Sequence, residues 1–103
     1  MSDKLIYEYM VEIILPLPFD NEFISRIPKQ RELINKLMSE RIISSYAVSL
    51  EEGKLWTTIL AGSEEQVIDC LSEFPIIDLV EYKISKLAFH NNISLTFPQF
   101  SLN

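Results

Sequence analysis

Residues 44–66 read SSYAVSLEEGKLWTTILAGSEEQ, and the fold turns on this stretch. Ser44–Leu50 and Lys54–Ala61 are strand-length runs carrying β-branched and aromatic residues. Glu51, Glu52 and Gly53 between them make a short connection ending in glycine, which is a hairpin pattern. Ser63-Glu64-Glu65-Gln66 is a capping-box pattern: Ser63 caps the first helical turn and Gln66 reaches back. The helix it opens carries Val67, Ile68, Leu71 and Phe74 on one side, and Pro75 ends it. Two adjacent strands therefore sit mid-chain with a helix directly behind them, and the flanking segments decide the topology.

Upstream, residues 5–15 alternate. Tyr7, Tyr9, Val11, Ile13 and Leu15 share one face of a strand; Ile6, Glu8, Met10, Glu12 and Ile14 share the other. Pro16 and Pro18 stop it, because neither can donate to a ladder. Asp20 can cap a first helical turn holding Phe23, Ile24 and Ile27. Pro28 then interrupts, and the spacing of Leu33, Ile34, Leu37, Met38 and Ile42 predicts one amphipathic helix over about residues 29–41. Lys29, Gln30, Arg31, Glu32, Asn35, Lys36 and Glu40 are expected on its outer side. Downstream, residues 79–89 read as a last strand, with Val80, Tyr82 and Ile84 on one face and Glu81, Lys83 and Ser85 on the other.

The order is β-α-β-β-α-β. This split βαβ arrangement gives an α+β, ferredoxin-like fold: a four-stranded antiparallel sheet with both helices on one face. The other face stays bare in a monomer. Met10, Ile14, Trp56 and Leu60 are expected on it, so a second copy meeting it face to face would close a barrel-like space. Residues 1–91 form the domain. The tail, residues 92–103, alternates Ile93, Leu95 and Phe97 with polar residues and adds Phe100 and Leu102, so it is expected to pack on a neighbouring subunit.

With 103 residues, this is one domain that buries only about 65% of its unfolded surface. A partner subunit would help it. The net charge is −6, from 15 acidic and 9 basic residues, and no basic face appears. That argues against nucleic acid, whose binding needs clustered positive charge, and against anionic membranes. One cysteine, Cys70, and one histidine rule out an intramolecular disulfide and leave too few ligands for a Cys/His metal site. Met1–Lys4 is short and charged, and Glu8 and Glu12 break the apolar run after it. Neither a signal peptide nor a membrane span is expected, which suits a cytoplasmic protein.

Leu71-Ser72-Glu73-Phe74-Pro75, then Val80–Ile84, then Leu87-Ala88-Phe89-His90 resembles the end of muconolactone isomerase. That family closes with a helix ending Leu-Ser-Gly-Leu-Pro, a strand, and Leu-Ala-Arg-His. Val11–Asp20, with Leu17-Pro18 and Asp20, is similar to the family's opening strand and its Leu-Pro-x-Asp exit. Gly53-Lys54-Leu55-Trp56 stands where the family has Gly-Arg-Tyr. The resemblance covers roughly residues 7–91 and is strongest in the last third. It implies the dimeric α+β barrel, a homodimer or higher homo-oligomer, and a cofactor-free isomerase that shifts a proton on a small unsaturated lactone acid. Two departures bear on the substrate: the family's strand-one Arg is Glu12 here, and the Arg before its closing His is Phe89. Each lost cation removes on the order of 1–4 kcal/mol of attraction for a carboxylate.

Glu12 and His90 are the candidate bases. A carboxylate in an apolar pocket has a raised pKa and can accept a proton near neutral pH, and histidine is the usual proton shuttle. Glu8, Met10, Trp56 and Lys83 are the candidate ligand-lining residues; Lys83 can replace the missing Arg charge or simply pair with a strand glutamate. Tyr7, Tyr9 and Tyr46 fit either a planar-ligand pocket or plain core, and Cys70 reads as a small buried hydrophobe. No Gly-rich phosphate loop occurs with 2 glycines. Three functions follow: a proton-shift isomerase, a non-catalytic homo-oligomeric small-ligand-binding or scaffold protein of the same fold, and a cofactor-free monooxygenase.

Overall fold

A computed structural model of the chain describes residues 5–91. The elements are β1 (Tyr7–Ile14), α1 (Asn21–Ser39), β2 (Ile43–Ser49), β3 (Lys54–Ala61), α2 (Glu64–Leu71), a single 3₁₀ turn (Ile77–Leu79) and β4 (Glu81–Lys86). The sheet runs β2-β3-β1-β4 with every neighbouring pair antiparallel. This is the expected ferredoxin-like α+β architecture. The expected packing of the tail falls on residues outside those described.

The alternation in β1 sets the layering. Tyr9, Val11, Ile13 and Leu15 are buried, and they share one core with Phe23, Ile34 and Leu37 of α1 and Val67 and Leu71 of α2. Both helices therefore cover the same face of the sheet. β3 adds Leu55, Ile59 and Ala61 to that core, and Phe74 and Ile76 close it below α2. Glu8, Met10, Glu12 and Ile14 point the other way, opposite Leu60, Thr58, Trp56 and Lys54 of β3.

Helix α1 is one 19-residue helix, not a short turn followed by a helix from residue 29. Asp20 explains the early start: its Oδ1 accepts from the Phe23 N–H at 2.9 Å, which nucleates the helix eight residues ahead of Pro28. Pro28 deprives the Ile24 carbonyl of its helical donor, and Ile24 lies on an exposed face where water can replace it. Arg26 fastens this half of the helix. Its guanidinium reaches Glu22 and Asp78, each at 2.5 Å, and donates to the Pro75 carbonyl at 2.9 Å.

Gln30 corrects the outward assignment, being only 2% exposed. It continues the inner stripe of Phe23, Ile27, Ile34 and Leu37 at spacings of three and four.

Helix α2 starts as the capping box predicts, with Ser63 Oγ accepting from the Gln66 N–H. Gln66 Oε1 accepts from the Gly62 N–H at 2.8 Å, one residue ahead of the usual partner. β4 is shorter than the predicted 79–89, because the 3₁₀ turn takes up Ile77–Leu79 and strand pairing ends at Lys86.

The hairpin turn needs its glycine. Gly53 has φ +66°, and a Cβ there would stand 2.6 Å from Leu17 Cδ1. Gly53→Ala is expected to destabilise the protein by about 1–2 kcal/mol, from left-handed strain and the contact together. Chemical denaturation measures this, and an unchanged midpoint would mean that the turn adopts another conformation.

Candidate functional site

The sheet face away from the helices carries most of the ionisable groups picked out in the sequence. β1 supplies Glu8, Met10 and Glu12; β3 supplies Trp56, Thr58 and Leu60; β4 supplies Lys83 and Ser85. A bulge in β2 adds more. Ile43 pairs with Ile59 and Ser45 with Thr58, so Ser44 is an extra residue in the strand. Both serines can then reach the same face.

Glu8 is the hub. His90 Nδ1 lies 3.0 Å from Glu8 Oε1, and Ser44 Oγ donates to Glu8 Oε2 at 2.5 Å. The Leu87 N–H donates to the Glu8 carbonyl at 2.9 Å, which prolongs the β1–β4 pairing by one bond and brings the following residues back over β1. That is how two residues 82 positions apart come into contact.

The hydroxyls behind Glu8 form a directed chain. A carboxylate only accepts, so the Ser44 proton points at Glu8. Ser44 Oγ is 2.7 Å from Thr58 Oγ1, and Ser45 Oγ is 2.5 Å from that same oxygen. The consistent assignment has Ser45 donating to Thr58, Thr58 to Ser44, and Ser44 to Glu8. Thr58 is fully buried beneath this network, on the face that carries no helix.

These contacts decide the charge of Glu8. Burial pushes its carboxyl up. The hydrogen bonds from Ser44 and His90, the charge of a protonated His90, and Thr58 together outweigh burial and hold the carboxyl below its ordinary value. The direction is opposite to that of a carboxylate in a purely apolar pocket. The linkage sign follows: a lowered folded-state pKa gives stability that is present above the ordinary glutamate value and fades as pH falls through the lower one. Glu8→Gln is expected to flatten this acid limb. Urea midpoints between pH 3 and 7 test it, and an acid limb of equal steepness in the variant would assign it to other carboxylates.

Glu12 sits on the same face, about 13 Å further along β1. The Trp56 Nε1–H donates to Glu12 Oε1 at 3.2 Å, and Lys54 Nζ stands 3.7 Å from Oε2. The strand glutamate's ion pair is thus made by Lys54. Lys83 is opposite Glu12 in register but makes no salt bridge among the described residues.

The structure therefore gathers the predicted residues into two clusters. Glu8 and His90 are one, and Glu12 with Trp56 is the other. Met10 lies on β1 between the two glutamates, opposite Thr58 and Ser85. Tyr9 is core, while Tyr7 carries Lys86 Nζ 3.7 Å above its ring. Cys70 is partly buried on α2, and burial, with the Glu73 charge, pushes its thiol up. Ser44, Ser45 and Thr58 were not picked out from sequence; consecutive serines inside a strand opposite a threonine are the available signal.

Chemically, the first cluster is an oriented imidazole. Glu8 accepts at Nδ1–H, fixes the ring, and stabilises the positive charge that forms when Nε2 takes a proton. Among the described residues no group of three or more His, Cys, Asp or Glu side chains is placed to hold a metal ion, and no helix is long and apolar enough to cross a membrane. Compared with known proteins, the chain matches no family model and no curated sequence.

Proposed function

We propose that this protein is a cofactor-free proton-shift isomerase of the muconolactone isomerase type, acting on a small unsaturated lactone or related cyclic compound. The observation that carries the reading is the 3.0 Å contact between His90 Nδ1 and Glu8 Oε1 on the sheet face without helices. In this reading His90 Nε2 removes a proton from the carbon made acidic by the conjugated carbonyl and returns it to another carbon. Glu8 acts through His90 and is a positioning residue. Lys83, opposite Glu12, meets the substrate carboxylate in place of the family's arginines.

The proposed unit is a homodimer or larger homo-oligomer in the cytoplasm. Met10, Ile14, Trp56 and Leu60 give the open face an apolar component that a second copy would cover, while the dyad would line the space between sheets. Sedimentation at micromolar concentration tests this, and a clean monomer would remove the second copy from the proposal.

The test of activity is proton NMR of muconolactone with the purified protein in deuterated buffer. Product formation or protein-dependent deuterium uptake supports the reading. Neither, from folded protein, sinks it in favour of a non-catalytic oligomeric binding protein. The satisfied Glu8–Ser44–Thr58 network and the Glu12–Trp56 bond favour that second reading, since both glutamates already have partners.

A further inference from the structure

On the other side of the sheet, between the first half of α1 and the end of β2, lies an apolar cleft of about 550 Å³. This volume falls within the usual range for small-molecule sites. Phe19 and Phe23 form one wall, stacked with ring centroids 4.9 Å apart. The rim includes Ile24, Val48 and Leu50, all exposed, so apolar surface is left uncovered where the cleft opens. Single exposed apolar side chains are ordinary; three around one concavity are a feature to be explained.

The polar groups are few, and two of them, Gln30 and Tyr46, meet. Gln30 is buried, yet its bonds are long: Nε2 donates to the Tyr46 hydroxyl at 3.4 Å, and Oε1 accepts from the Ile76 N–H at 3.4 Å. A primary amide has two N–H donors, and only one is used here among the described residues. The Tyr46 hydroxyl accepts from Gln30, and its own proton has no acceptor among the described residues. Burial, opposed by that bond from Gln30, pushes the Tyr46 hydroxyl up, so it remains a donor. Arg31 is the one charged residue among those lining the cleft, and it makes no salt bridge among the described residues. Donors inside the cleft and an exposed cation at its mouth call for an acceptor-bearing, negatively charged head on an apolar body.

We propose that this cleft binds a small monocarboxylic acid with an aliphatic or aromatic body, its carboxylate held by Arg31 and the Tyr46 hydroxyl, which Gln30 positions from behind. The site lies across the sheet from Glu8 and His90, so it stands whether or not the dyad is catalytic.

Octanoate and octan-1-ol are the probes, titrated into the ¹⁵N,¹³C-labelled full chain. Octanoate is expected to saturate, with intermolecular NOEs to Phe19, Phe23 and Ile27, and to bind roughly tenfold or more tightly than the alcohol. Arg31→Leu should remove that preference, bringing octanoate affinity down to no better than that of octan-1-ol. Tyr46→Phe, which deletes only a hydroxyl, should weaken octanoate by roughly tenfold. Absence of saturation at millimolar octanoate, NOEs to Met10 or Trp56 instead, or unchanged octanoate affinity in folded Arg31→Leu protein would each overturn the proposal.

Discussion

His90→Ala is expected to lower protein-dependent deuterium exchange into an unsaturated lactone by about 10²- to 10⁴-fold, the usual contribution of a positioned general base. The fold should survive, because His90 lies beyond the last strand and its only described side-chain bond is to Glu8. Glu8→Gln should fall between wild type and His90→Ala. Its amide oxygen can still accept the Nδ1–H and align the ring, but the charge that stabilises the protonated imidazole is gone. A merely structural Glu8 would leave the pH profile of exchange unmoved, whereas a positioning Glu8 shifts its midpoint when replaced. Full exchange in folded His90→Ala would take the histidine out of the chemistry.

The largest stability effect is expected at Phe74. This ring is 2% exposed and sits just past α2, with its N–H bonded to the Leu71 carbonyl and its carbonyl to the Ile77 N–H. Next to it, Pro75 receives the Arg26 guanidinium from α1. Phe74 thus fills the core where the α2–β4 connection meets the first helix. Truncation to alanine is expected to cost about 3–5 kcal/mol, from lost transfer energy and the cavity left behind. In a domain of this size that lowers the melting temperature by roughly 15 °C or more. Scanning calorimetry reads it directly. A loss below about 1 kcal/mol would mean that this connection packs elsewhere.

Much of the fold could be read from the chain because its local signals agree with one another. The β1 alternation placed Val11 and Ile13 in the core and Glu8 and Glu12 opposite them. The Gly53 turn gave the hairpin its boundary, and Ser63 gave α2 its start. Where two local rules compete, the reading failed. Pro28 argued for a break, but the Asp20 cap and the inner stripe of Phe23, Ile27 and Gln30 carried the helix through it. Gln30 was placed outside by polarity alone, although its spacing belongs to the buried stripe.

The site was legible only as a set of residues on a face. Which glutamate meets the histidine depends on how the chain turns after Lys86, where no period or cap gives a signal. The lowered Glu8 carboxyl was unreadable for a related reason. Its sign rests on Ser44 and His90 together, and Ser44 reaches Glu8 from a strand 36 residues away by virtue of the bulge.

The bulge has one more implication. Ile43 faces Ile59 on one side of it, and Tyr46 faces Thr57 on the other. Excising one of the two serines would leave an uninterrupted ladder in which Tyr46, Val48 and every later residue keep both partner and face. The hairpin is therefore complete without that residue. What the surplus serine adds is a second hydroxyl, and with it the directed chain that ends on the Glu8 carboxylate.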